Sequence, residues 1–212
     1  MADFEQLRQA IIEGDAKKAV AVTEQALADG ADPGDLVTNF MIPAMDDVGR
    51  LFECEDYFVP ELLLSARAMK GSLALLRPLL AARGTEPAGR VVIGTVKGDL
   101  HDIGKNLVAS MLEGGGFEVI DLGADVAPQK FVEAVDASGA GVVCLSALLT
   151  VTMPSMRSTI QALCDSGVRD RVKVLVGGAP VTQQFALEIG ADAYGANATA
   201  AVALARRLSK VA

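Results

Sequence analysis

The chain has 212 residues, 51% hydrophobic and 22% charged, enough for one large domain or two small ones with buried cores. Its formal charge of −8, with 14 acids against 8 bases in residues 1–84, disfavours nucleic acid as a partner. The three cysteines, Cys54, Cys144 and Cys164, lie far apart and show no CxxC spacing, which disfavours disulfide frameworks, zinc ribbons and cysteine-ligated iron–sulfur clusters.

The N-terminal stretch MADFEQLRQAIIEGD alternates charge with apolar residues and lacks the basic-then-apolar order of a signal peptide. The most apolar run, AGVVCLSALLTVTM, is too short for a membrane span and carries Ser and Thr. These features predict a cytoplasmic protein with no membrane association. Residues 4–83 place apolar side chains at i, i+3 and i+4, with turn signals at Gly14-Asp15, at Gly30-Ala31-Asp32-Pro33 and from Asp56 to Pro60. The pattern predicts four helices. Asp32 caps a helix starting at Pro33, Pro60 suits the first turn of the last helix, and Pro78 is expected to kink or end it. The acidic stretch MDDVGRLFECEDYF reads as a solvated helical face, with a docking surface for a protein as the alternative.

After GTEPAG, residues 84–89, short β-rich runs alternate with helical ones. RVVIGTV, FEVIDLG, GVVCLSAL, VKVLVGG and ADAYG are the strand candidates. They predict a Rossmann-like, flavodoxin-like α/β unit: a five-stranded parallel sheet in the order 2-1-3-4-5 with helices on both faces. The expected organisation is a helical domain over 1–84, a linker over 85–89 and the sheet domain over 90–212. Ligands on such sheets bind at the carboxyl ends of the strands.

The loop after the first strand, GDLHDIGKN, holds the only histidine of the chain, His101. Three functions compete for it. A phosphate loop fails, because five residues separate Gly98 from Gly104 where GxxxxGK[ST] has four, and Asn106 replaces the hydroxyl. A surface histidine bonded to Asp99 or Asp102 with no further role is the plain structural reading. In the third, His101 is a metal ligand whose other ring nitrogen donates to a carboxylate, Asp99 being the nearest candidate. One protein ligand does not complete a zinc site, so in that case most of the ligands come from a cofactor.

Asp99-x-His101-x-x-Gly104 is followed after 41 residues by Ser146-x-Leu148, and after 28 more by Gly177-Gly178. This resembles the DxHxxG, SxL and GG signature of cobalamin-binding domains in methionine synthase, methylmalonyl-CoA mutase-type enzymes and the corrinoid proteins of methyltransferase systems. The resemblance implies that the cofactor's dimethylbenzimidazole leaves the cobalt, that its nucleotide tail is buried in a slot of the sheet domain, and that His101 takes the lower axial position. It implies a cofactor-binding set of Gly98, Asp99, His101, Asp102, Ile103, Gly104, Ser146, Leu148, Thr150, Thr152, Gly177 and Gly178, the two last glycines letting backbone approach the tail. In methionine synthase the aspartate is bonded to a hydroxyl six residues after the SxL serine, which here is Thr152. A proton relay through His101, Asp99 and Thr152 follows.

The first half, around LFECEDYFVPELLLSARAMKGSLALLRPLL, resembles the four-helix cap of methionine synthase and of small methyl-shuttling corrinoid proteins. Phe52, Val59 and Leu62 then fall where the cap shields the upper corrin face and its methyl group; methionine synthase has leucine in place of Val59. Ordinary helix core is the plain reading of all three. With no Trp, no second His and no basic module, the chain departs from the cobalamin light sensors. The resemblance implies a methyltransferase cognate corrinoid protein, holding cobalamin or a related corrinoid and its cobalt, methylcobalamin being the loaded form. It would accept a methyl group on cobalt(I) from a substrate:corrinoid methyltransferase and pass it to a methylcorrinoid methyltransferase acting on tetrahydrofolate or a thiol. A reductive activator is the third implied partner. The linker would be the hinge on which the cap swings, and a corrinoid store or sensor is the alternative.

Overall fold

The computed structural model describes residues 4–84 and 87–209. Thr85 and Glu86, within the expected linker and hinge, lie outside the described residues, as do 1–3 and 210–212. The chain divides into two compact units, residues 1–87 with 113–116, and 88–112 with 117–212.

In the first unit, α1 (Phe4–Ile12) and α2 (Ala16–Ala28) are separated by Gly14, which takes a φ of +72°. Asp15 caps α2, its carboxylate accepting from the Lys18 N–H at 3.0 Å. Asp32 caps α3 (Pro33–Asp35) through the Asp35 N–H in the same way, with Pro33 in the first turn. α3 runs without a break through a π-helical segment, Leu36–Met41, into α4 (Ile42–Glu53), forming one rod. Pro43 has no N–H for the Asn39 carbonyl and its ring crowds that oxygen, so the preceding turn widens. α5 (Val59–Ala82) starts where Glu61 accepts from the Phe58 N–H. The expected break at Pro78 is not an end: α5 continues to Ala82, because a proline this near the C-terminus removes a single backbone bond from the last turns. The last carbonyl of α1, on Ile12, accepts from Tyr57 Oη and Ser65 Oγ, each at 3.0 Å, tying α1 to α5.

In the second unit, β1 (Arg90–Thr95), β2 (Glu118–Asp121), β3 (Val142–Ser146), β4 (Lys173–Gly177) and β5 (Ala193–Gly195) form one parallel sheet in the order 2-1-3-4-5. The connecting helices are α6 (Ile103–Gly114), α7 (Pro128–Ser138), α8 (Pro154–Asp165), α9 (Gln183–Glu188) and α10 (Ala198–Ser209). The central strands are buried along almost their whole length, as expected of a sheet covered on both faces. On one face Val92, Val143, Leu145, Val174 and Val176 pack with Phe131 and Val135 of α7 and Met156, Ile160 and Leu163 of α8. α10 packs against β3, β4 and β5. A Cβ on Gly94 would lie 2.8 Å from Phe131 Cζ, so the glycine in β1 is the space the largest core ring occupies. The order reverses at β1 and β3, so the segments leaving these two strands flank the topological switch point, where such sheets bind ligands.

Candidate functional site

β1 ends at Thr95 and the chain crosses the carboxyl edge before α6 starts at Ile103. Thr95 is fully buried and its hydroxyl donates to the His101 carbonyl at 2.9 Å, fixing the far side of the loop. Asp99 is also fully buried. Its Oδ1 accepts from the His101 N–H at 3.0 Å and meets His101 Nδ1 at 2.7 Å. Its Oδ2 accepts from the Leu148 N–H at 2.8 Å, the Leu149 N–H at 3.2 Å and Thr152 Oγ1 at 2.7 Å. Thr95 pairs with Ser146 across the sheet, so this one carboxylate joins the segments leaving β1 and β3.

Burial raises the pKa of the Asp99 carboxyl, but bonds from Thr152, the His101 and Leu148 amides and the imidazole outweigh it and hold it well below the usual carboxylate range. An ionised Asp99 accepts a hydrogen bond from the Nδ1–H of His101, and in the neutral ring this leaves a lone pair on Nε2. The imidazole is 48% exposed, and among the described residues Nε2 has no hydrogen-bond partner. Thr152 Oγ1 also lies 2.8 Å from the Leu149 carbonyl, so its single proton has two acceptors in reach.

Among the described residues no group of three or more His, Cys, Asp or Glu side chains could hold a metal ion. A metal on Nε2 therefore brings its other ligands with it. The surroundings fit a large, partly apolar cofactor: Leu100, Ile103 and Val151 are 76%, 81% and 80% exposed, and Leu148 and Leu149 stand exposed on the same two segments that Asp99 joins. Apolar surface of this kind gains about 25 cal/mol per Å² when covered. Leu100, Leu149 and Val151 were not singled out from sequence; their adjacency to His101 and Leu148 in an exposed turn was the available signal. The Cys144 thiol offers nothing comparable, since burial pushes it up to about 12.

The remaining expected residues divide. Ser146 ends β3 and Leu148 reaches Asp99 through its amide, so its backbone carries the contact. Asp102 accepts from Asn106 Nδ2 at 3.0 Å, and Ile103 and Gly104 open α6. Thr150 is exposed and, among the described residues, its hydroxyl has no hydrogen bond. At Gly178, where φ is +128°, a Cβ would fall 1.9 Å from the Ala147 carbonyl oxygen, and at Gly177 it would fall 3.0 Å from that of Gly195. The approach that demands glycine is thus between neighbouring backbones, and Gly178→Ala is expected to lower stability by about 3 kcal/mol or more, measurable by urea denaturation. In the helical unit Phe52 is half-buried, Val59 is exposed and Leu62 is fully buried.

Several positioning groups were not apparent from sequence. Lys105, almost fully buried at the start of α6, bonds the Asp121 carboxylate at 2.5 and 2.6 Å and Asn106 Oδ1 at 2.6 Å, pinning the helix to the end of β2. Ser155 Oγ donates to the Lys97 carbonyl at 2.9 Å. Asp125 binds the same loop from a third segment. Apart from the Lys105–Asn106 bond, these contacts join residues 16 or more positions apart, which no local pattern announces.

Residues 89–203 match the B12 binding domain family, and residues 3–77 match a second model described as B12 binding domain. The chain belongs to the B12-binding family. As a corrinoid protein, it takes a corrinoid cofactor. It is 45% identical to trimethylamine corrinoid protein 2 of Methanosarcina mazei, over 96% of this chain and 94% of that one. It is 41% identical to dimethylamine corrinoid protein 3 of Methanosarcina acetivorans, over 98% and 99%. Among solved structures it resembles a cobalamin-binding protein of Desulfitobacterium hafniense, with TM-score 0.81, 33% identity and coverage of 98% and 99%. It also resembles a chain of the methanol:cobalamin methyltransferase complex of Methanosarcina barkeri, with TM-score 0.87, 29% identity and coverage of 98% and 79%.

Proposed function

We propose that this corrinoid protein carries methyl groups between two methyltransferases, the first acting on a methylated amine and the second on tetrahydrofolate or a thiol. The observation that carries the reading is the half-exposed imidazole of His101, held by a buried aspartate so that Nε2 stays open. The kinship to trimethylamine and dimethylamine corrinoid proteins supports an amine donor, and the likeness to a methanol complex supports a separate methyltransferase as partner. When bound, the corrinoid supplies the nucleophilic cobalt(I) that takes the methyl and later yields it.

The chain's part is to hold and adjust. His101 would offer Nε2 to the cobalt of a bound corrinoid, and Asp99 would fix its tautomer and raise its basicity. Thr152, with its proton placed between Asp99 and the Leu149 carbonyl, completes a relay that changes the hydrogen bonding of the imidazole as ligation is made and lost. Leu100, Ile103, Leu148, Leu149 and Val151 form the apolar bed, with Gly98, Asp102, Gly104, Ser146, Thr150, Gly177 and Gly178 in the remaining binding set. In the helical unit Phe52 and Val59 would be the side chains free to shield a bound methyl group, while Leu62, fully buried, would support them from within that unit. The protein would work in the cytoplasm, with a reductive activator as a further partner. Among the described residues no helix is long and apolar enough to cross a membrane.

The test reconstitutes the protein with cobalamin, reduces it, and adds trimethylamine, dimethylamine or methanol together with the matching methyltransferase. Formation of the methylcobalt absorption band with an amine, and its discharge by tetrahydrofolate or a thiol with a second enzyme, is the expected result. A loaded, reduced protein that gains no methyl from any donor would instead be a store or a sensor.

A further inference from the structure

Asp125 lies in the connection between β2 and α7, and its backbone takes a φ of +56°, in the left-handed region where glycine is at ease and other residues are strained. Glycine is not used there, and the carboxylate shows why. Oδ1 accepts from the Gly98 N–H at 2.8 Å and Oδ2 from Lys97 Nζ at 3.0 Å. The Asp125 N–H in turn donates to the Asp99 carbonyl at 2.9 Å, and the next residue's N–H donates to Thr95 at 3.0 Å. Gly98 is itself left-handed, at +87°. Asp125 therefore grips the histidine loop on both sides of the Gly98–Asp99 peptide bond, through side chain and main chain at once. It contacts neither the imidazole nor the groups that line the apolar bed. Among the described residues Asp99 is the only one whose carboxylate bonds the ring, so whatever fixes the Asp99 backbone helps to fix the imidazole.

We propose that Asp125 is a positioning residue for histidine ligation: by holding the Gly98 N–H and the Asp99 carbonyl it sets the aim and the tautomer of His101. This rests on the reading of His101 as the cobalt ligand. The carboxylate acts as a loop clasp and its charge is secondary, since Lys97 Nζ is an exposed partner while the Gly98 amide is part of the loop backbone. Asp125→Gly relieves the backbone and keeps the N–H but removes the clasp. Asp125→Asn tolerates the left-handed backbone and keeps an acceptor for the Gly98 N–H.

Two readouts apply to the full chain. With the single histidine labelled with ¹⁵N, the shifts of Nδ1 and Nε2 give the tautomer population before any cofactor is added. Electron paramagnetic resonance of the cobalt(II) form then gives the fraction of cobalt carrying the histidine nitrogen. Asp125→Gly should lower the ratio of histidine-ligated to unligated cobalt by about tenfold, the low end of the effect of losing an outer partner of a metal ligand, and should mix the tautomers. Asp125→Asn should stay within about threefold of the parent on the same scale. Equal losses in both variants would make the ion pair with Lys97 the operative contact and overturn the clasp. A glycine variant with the parent's tautomer and ligation would overturn it as well. If Asp125→Gly fails to fold, Asp125→Asn decides alone: parental ligation and tautomer support the clasp, and loss of both refutes it. Should the parent show no histidine nitrogen on cobalt, the ligand reading fails by itself, and the tautomer shift still judges Asp125.

Discussion

His101→Ala is expected to convert the cobalamin-loaded protein from nitrogen-ligated to water-ligated cobalt and to weaken cofactor binding by at least about 10–100-fold, the range for losing merely an outer partner of a metal ligand. No other histidine exists in the chain to replace it. The fold should barely respond. The ring is about half exposed, and alanine keeps the backbone N–H that Asp99 Oδ1 accepts, so only the bond through Nδ1 disappears. Its removal should change stability by about 1.5–3 kcal/mol at most, the range for a bond to a charged group. Visible spectra report ligation, urea denaturation of the apoprotein reports stability, and the two should separate. A nitrogen signal on cobalt(II) that persists in the variant would come from the cofactor's own base and would remove His101 from the axial position.

The organisation of the fold was legible because its signals are local and periodic. Gly14-Asp15, Gly30 to Pro33 and Asp56 to Pro60 mark the helix breaks where they occur, and five β-rich runs coincide with five strands. The strand order followed from the alternation of strands and helices together with the handedness of crossovers. Two features escaped. Pro78 was expected to kink or end α5, and it does not end it, the helix continuing to Ala82, while Pro43, unremarked in the sequence, accompanies the π segment.

At the site, the resemblance to cobalamin-binding domains pointed to Asp99, His101 and Thr152, and the structure brings those three together within hydrogen-bond distance. What spacing hid is how Asp99 is held. Two of its five contacts are backbone amides of Leu148 and Leu149, whose donation does not depend on the side chain, and the clasp by Asp125 spans 27 positions in sequence. The glycine pair was read as letting backbone approach the cofactor tail, but the atoms that crowd it, the Ala147 carbonyl oxygen at Gly178 and that of Gly195 at Gly177, are visible only in three dimensions.

Asp99→Asn should be the most damaging conservative change in the sheet unit, because an amide presents one oxygen to two groups of donors. Turned with its oxygen towards Leu148, Leu149 and Thr152, it sets NH₂ against the His101 N–H and against Nδ1. The imidazole then has to accept at Nδ1 and carry its proton on Nε2, which closes the nitrogen intended for the metal. Turned the other way, it deprives the Leu148 and Leu149 amides of their acceptor. Either arrangement should cost about 2–4 kcal/mol at pH 7 and abolish histidine ligation, even in protein that remains folded. The pH dependence identifies the cause. The folded pKa of Asp99 is depressed below the unfolded value of about 3.9, so its contribution is complete above that value and is lost as pH falls towards the folded one, where the unfolded chain binds the proton first. Urea midpoints of parent and Asp99→Asn should therefore differ most near neutrality and converge as pH drops through about 4. A gap of constant size down to pH 3 would mean that the buried carboxyl is not ionised in the folded chain, and with it would go the fixed tautomer on which ligation through Nε2 depends.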